Sequence, residues 1–190
     1  MTTAAPKPSF FKSLTPIFVI LGLVLMSLYA VRWKMGGTRS HDTKEVLAGA
    51  VLEDFSLTKL NGEVIHASQL QGQVFLINFW ATWCQACMVE MPSLVKLREQ
   101  YHSRGFEILG INVDENPQAV VPKIVKKLGI GFPIFIDATD GALSAMFDVH
   151  AIPMTVVINK ARKVLHVENG ERDWFASDVR DQLDKWLKDK

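Results

Sequence analysis

The sequence predicts an α/β fold: a central mixed β-sheet flanked by helices. Three observations carry that expectation. Segments of strand type alternate with segments of helical periodicity from residue 73 to residue 187. The segment Gln73 to Trp80 is apolar on both of its alternating faces, as in a central strand covered on both sides. Of 190 residues, 48% are apolar and 22% charged, enough for one buried core.

The first residues are a different material. From Ser13 to Val31 run 19 residues without a charge. As a helix they span roughly 28 Å, close to the ~30 Å hydrocarbon core of a bilayer. Lys7, Lys12, Arg32 and Lys34 bracket the run at head-group depth. We read residues 1–12 as a cytoplasmic tail, 13–31 as a transmembrane anchor, 32–48 as a linker and 49–190 as the folded domain. A cleaved signal peptide fits the apolar run too, but Ala48-Gly49-Ala50 lies too far downstream for a peptidase at the membrane surface. Flanking charges are nearly balanced, so they leave the orientation open.

Asp54 to Leu57 and Glu63 to His66 read as a hairpin around Asn61-Gly62, a two-residue turn signal. Strand Gln73 to Trp80 follows, then a helix from Cys84 to about Ser103 with Val89, Leu94, Val95, Leu97 and Tyr101 at helical spacing. Phe106 to Val113 is the next strand. Asn116 and Pro117 open a helix that Gly129 stops. A short extended piece at Ile134 to Ile136 and a short helix at Ala142 to Phe147 lead to strands Met154 to Ile158 and Lys163 to Glu168. The last helix is expected from about Asp173 to Leu187.

Composition excludes several functions. A formal charge of +1 does not suit a protein that neutralises nucleic-acid phosphates. Two cysteines cannot make a disulfide-rich scaffold, and the five histidines His41, His66, His102, His150 and His166 stand singly. We therefore expect no metal site.

The chemistry is concentrated in Cys84-Gln85-Ala86-Cys87, between a strand and a helix. A cysteine at a helix N-terminus meets unpaired N–H groups and the positive end of the helix dipole, which favour the thiolate. Two intervening residues put the second sulfur within reach in the first turn. The pair can exist as a dithiol or as a small-ring disulfide. Glu90 falls three residues after Cys87, on the same helical face; by itself it reads equally well as a solvated helix acid.

The segment Asn78-Phe79-Trp80-Ala81-Thr82-Trp83-Cys84-Gln85-Ala86-Cys87-Met88-Val89-Glu90-Met91-Pro92 resembles the active-site segment of the thioredoxin superfamily. The resemblance is closer still to its membrane-anchored ResA/TlpA/DsbE branch of bacterial extracytoplasmic thiol–disulfide oxidoreductases, and covers about Gly49 to Trp186. It implies a thioredoxin-like fold with an N-terminal β-hairpin extension, and a domain facing the periplasm from the inner membrane. It makes Cys84 the attacking cysteine, Cys87 the resolving one, and Glu90 a helper of proton movement at the cysteines. Asn78 stands where thioredoxin proper has a buried acid. Pro153 matches a cis-proline facing the disulfide, Pro92 a proline that kinks the active-site helix, and Trp83 with the Ile152-Pro153 edge would bind the substrate chain.

The implied activity is reduction of protein disulfides, of the cytochrome c maturation type or a related one. The redox-active pair serves in place of a cofactor, and a thiol donor in the membrane resupplies electrons. Ala86 departs from the proline usual before the second cysteine, which frees a backbone N–H near the sulfurs, and Met154 departs from the residues usual after the cis-proline. Three alternatives remain open here: a disulfide oxidant or isomerase, a copper or zinc chaperone using the cysteines with a histidine such as His150, and a binding module whose pair is idle.

Overall fold

The computed structural model describes residues 19–27, 29, 47–70, 72, 74–137 and 141–188. The chain divides into two units, Met1–Ser40 and His41–Lys190. In the first, residues 19–27 are helical and their side chains exposed. Among the described residues no helix is long and apolar enough to cross a membrane. The expected tail at 1–12, the two ends of the expected span 13–31 and most of the linker 32–48 lie outside the described residues.

The second unit holds one seven-stranded sheet. In chain order its strands are β1 (Ser56–Lys59), β2 (Val64–His66), β3 (Val74–Trp80), β4 (Phe106–Asn112), β5 (Ile134–Ile136), β6 (Met154–Asn159) and β7 (Val164–Asn169). The helices are α1 (Gln85–Tyr101), α2 (Pro117–Leu128), α3 (Ala142–Met146) and α4 (Ser177–Trp186). The spatial order is β2-β1-β5-β4-β3-β6-β7, with β3 parallel to β4 and antiparallel to β6.

Every residue of β3 is buried. Its alternation explains why. Val74, Leu76 and Trp80 join Leu94 and Leu97 of α1 and Val179 and Leu183 of α4 in one core layer. Phe75, Ile77 and Phe79 join Phe55, Leu143 and Phe147 in the layer beneath the other face. Asn78 shares the α1 side with Val74, Leu76 and Trp80, so it carries an amide into an otherwise apolar layer. The packed unit reaches back to Leu47, which is buried against the second layer.

Two details differ from the sequence expectation, each for a local reason. The hairpin uses Leu60, Asn61 and Gly62 as its loop: Gly62 N–H donates to Lys59 O (2.9 Å) and Lys59 N–H to Glu63 O (2.8 Å). With φ +87, Gly62 supplies the left-handed residue of a three-residue turn, whereas a two-residue Asn-Gly turn of type I′ would need positive φ at Asn61 as well. Pro92 lies inside α1, which runs on to Tyr101, in keeping with the helix expected from Cys84 to about Ser103. The last helix begins at Ser177 instead of Asp173, because Asp173 Oδ1 accepts the Phe175 N–H (2.9 Å) and holds residues 173–176 in a side-chain-stabilised turn.

Gly110 marks the tightest point of the sheet. A Cβ there would lie 2.7 Å from Ile134 Cδ1, 3.0 Å from Phe132 Cε2 and 3.2 Å from Trp80 Nε1. The fully buried Trp80 cannot yield. Gly110→Ala is expected to cost about 1–3 kcal/mol of stability through overpacking; an unchanged urea midpoint would contradict this packing.

Candidate active site

β3 delivers the chain to the rim of the sheet at Trp80, and the next four residues turn into α1. Cys84 is the N-cap of that helix, and its Sγ accepts the Cys87 backbone N–H at 3.2 Å. Cys84 and Cys87 are joined as a disulfide with Cα atoms 5.3 Å apart. Cys84 keeps 6% of its surface exposed and Cys87 none, so of the two residues Cys84 is the one a partner can approach.

The turn is pinned from the neighbouring strand. Asp114, just past β4, accepts from the Thr82 backbone N–H and the Thr82 hydroxyl, both at 2.9 Å, and from Asn112 Nδ2 at 2.7 Å. Val113 N–H donates to Trp80 O at 3.0 Å. A carboxylate with several donors is a stiff anchor. The approach to Cys84 is thereby held by the end of β4 rather than by the helix alone.

The Ile152–Pro153 peptide is cis. Pro153 immediately precedes β6, and its carbonyl accepts the Gly170 N–H at 2.9 Å. Trp83, 70% exposed, and Ile152 line a groove of about 390 Å³ with Val113, Val149, His150 and Ala151. So the structure brings Trp83 and the cis-proline loop to one apolar groove.

Beneath the cysteines lies a buried acid. Glu90 is 2% exposed. Its Oε1 accepts from Asn78 Nδ2 (2.8 Å), and its Oε2 from Trp174 Nε1 (3.0 Å) and from the Arg172 backbone N–H (3.3 Å). Asn78 Nδ2 also donates to Thr155 Oγ1 across the β3–β6 pairing at 3.0 Å, while Asn78 Oδ1 is buried without a protein partner. Burial raises the Glu90 pKa above the ordinary carboxylate value; the three N–H groups pull against it, and the charge of Glu171 adds to the rise. The reading of Glu90 as a solvated helix acid is thus excluded.

The model of the Redoxin family matches residues 47–183. The chain belongs to the Redoxin family. It is 31% identical over 154 residues to the thiol-disulfide oxidoreductase ResA of Bacillus subtilis (strain 168), covering 81% of this chain and 85% of that protein. With ResA of Geobacillus kaustophilus (strain HTA426) the identity is 34% over 148 residues, 78% of this chain and 84% of that one. Among solved structures, a thiol:disulfide interchange protein of the thioredoxin family from Chlorobium tepidum TLS superposes with a TM-score of 0.59 at 29% identity, over 74% of this chain and 94% of that one. This redoxin is a ResA-like thiol–disulfide oxidoreductase with a thioredoxin-like fold.

Around its disulfide the redoxin gathers Trp83, Ile152 and Pro153 on the groove side, and Glu90 with Asn78 on the buried side. Pro92 lies two residues beyond Glu90 in α1, where it borders a separate cleft with Ser93, Arg172 and Phe175. His41 lies outside the described residues. His102, His150 and His166 each pair with a nearby carboxylate, on Glu107, Asp148 and Glu168 respectively. Among the described residues no three metal-ligating side chains come together.

Sequence reasoning missed Trp174, Thr155, Thr82 and Asp114. Thr155 could have been reached from Pro153, two residues earlier, but its contact with Asn78 depends on strand register. Trp174 gave a misleading signal, since it read as the first turn of the last helix.

The raised Glu90 pKa makes stability depend on pH. The folded protein holds a proton that the unfolded chain releases near its ordinary value of 4.5, so this contribution is complete below that pH and is lost as pH rises through the folded value. Glu90→Gln keeps the shape, and a turned Asn78 amide could accept from the new N–H₂ group. In denaturant titrations from pH 4 to pH 9 on the order of one unit apart, the wild type is expected to lose stability relative to Glu90→Gln as pH rises. A difference between the two proteins that stays constant with pH would contradict the assignment.

Proposed function

We propose that the chain is a membrane-tethered, extracytoplasmic reductase of protein disulfides. The observation that carries this reading is the Cys84–Cys87 disulfide at the N-terminus of α1, with Cys84 keeping some exposed surface and Cys87 none, directly after Trp83 of the apolar groove and three residues before the buried Glu90. In the reduced protein Cys84 is the thiolate. It attacks a substrate disulfide, one substrate sulfur leaves as a thiolate, and a mixed disulfide forms. Cys87 loses its proton to Glu90 and attacks Cys84 Sγ, releasing the second substrate sulfur. The substrate gains two electrons, and the enzyme ends as the Cys84–Cys87 disulfide.

The geometry supports this division of labour. Cys87 has no exposed surface, so bulk water is a poor acceptor for its proton, and Glu90 on the same helical face is a nearer one. A carboxyl whose pKa is raised by burial is better matched to a thiol than an exposed carboxylate is. Trp83 and Ile152 offer apolar contact, and the backbone beside Pro153 offers pairing to an extended substrate segment. No further cofactor is needed, because the cysteine pair carries the electrons.

The uncharged run at 13–31 supports tethering, and a dithiol reductase held at a membrane suits an oxidising compartment where thiols need special supply. We place the N-terminus inside and the catalytic domain in the periplasm of a bacterial inner membrane. A thiol donor in the membrane would return two electrons per cycle. The resemblance of the active-site segment to the ResA/TlpA/DsbE branch supports substrates of the cytochrome c maturation type.

Trapping tests the reading. Cys87→Ser is expected to accumulate a covalent partner on Cys84 under oxidising conditions, seen as a band shift that a reductant reverses, whereas Cys84→Ser yields none and loses disulfide reduction by at least about a hundredfold. Equal trapping by both variants, or none by either, would overturn it.

A further inference from the structure

The loop between β7 and α4 reaches the buried acid through Trp174. Trp174 is 2% exposed, and its indole N–H donates to Glu90 Oε2 at 3.0 Å. Its backbone N–H donates to Ser93 Oγ at 3.0 Å, and that hydroxyl donates to the Glu90 carbonyl at 2.7 Å. One serine therefore ties the loop to the same turn of α1 that carries the acid. The Asp173 turn keeps this stretch out of α4, which leaves the ring free to point inward.

We propose that Trp174 is a positioning residue of the exchange reaction, holding the Glu90 carboxylate in one orientation and favouring its ionised, proton-accepting form. This rests on the reading of Glu90 as the proton acceptor for Cys87. A neutral donor that bonds the ionised oxygen favours ionisation, and in a site closed to water few other groups can replace it.

The groups facing the carboxylate make Trp174 the natural point of control. From β3 comes Asn78 and from β6, behind it, Thr155; both are neutral. From the loop, Glu171 opposes ionisation. Arg172 offers its backbone N–H at 3.3 Å, while its guanidinium is paired with Glu168 and Asp178. On α1 itself the nearest titratable neighbour is Cys87, three residues back. Trp174 supplies a side-chain donor at 3.0 Å to the oxygen that Asn78 does not hold.

Trp174→Phe retains most of the ring and removes the donor. In the reduced full chain labelled with ¹³C-glutamate, with Glu90→Gln identifying the resonance, the midpoint of the Glu90 carboxyl titration is expected to rise by about one unit in Trp174→Phe. The acidic limb of the pH–rate profile for release of the mixed disulfide should move with it, and the rates should converge at high pH. That limb should be insensitive to Trp174→Phe in a Glu90→Gln background. Ser93→Ala, which loosens the loop without touching the indole, should move the midpoint the same way by less, and it decides the matter should Trp174→Phe fail to fold. An unmoved midpoint, or a rate loss equal at every pH, would overturn the role. A protein that exchanges normally with an unmoved midpoint removes Trp174 alone; a wild type that reduces no disulfide removes the exchange reading and the role together.

Discussion

A carboxyl group buried inside an apolar layer is the constraint around which this molecule is organised. Glu90 has almost no exposed surface, and leaving a charge there unpaired would cost far more than a single domain can bear. Donors from three separate parts of the chain converge on it: Asn78 of β3, Trp174, and the backbone of Arg172. Each charge-assisted hydrogen bond is worth about 1.5–3 kcal/mol, so together they offset a large part of the desolvation cost without cancelling it. The direction of the pKa shift records that burial wins. What remains is a carboxyl group of raised pKa three residues after Cys87, which has no exposed surface.

The two cysteines divide the same helix terminus between them. Cys84 occupies the N-cap, where the helix dipole and the first N–H groups of the helix act on it, and it directly follows Trp83, which lines the groove with Ile152. Cys87 is sealed beneath. The turn that sets this asymmetry is anchored by Asp114 through Thr82, so the position of the reactive sulfur is inherited from the end of β4. A rigid support of this kind fixes geometry more tightly than the short loop could alone.

Much of this was legible in the amino-acid order because the signals are local. An all-apolar strand, a C-x-x-C pair and a helical repeat occupy adjacent positions, and Glu90 follows by helical spacing. The resemblance to thioredoxin-type segments added Pro153, and the Ile152–Pro153 bond is cis. Contacts set by register and by long loops were not legible. Thr155 meets Asn78 across 77 positions of chain, and Trp174 meets Glu90 across 84. The Asp173 side chain overrode a helical pattern that otherwise ran on to Leu187, and that override is what turns Trp174 inward. The hairpin loop was misjudged by the same kind of detail, one residue of turn geometry at Gly62.

The exchange chemistry depends most on Cys84 ionising more readily than an ordinary thiol. Its rate of alkylation by iodoacetamide across pH, in the reduced Cys87→Ser protein, reads that property directly. The expected midpoint lies at least about one unit below the free-cysteine value near 8.5. A midpoint at that free value, with a correspondingly sluggish Cys84, would contradict it.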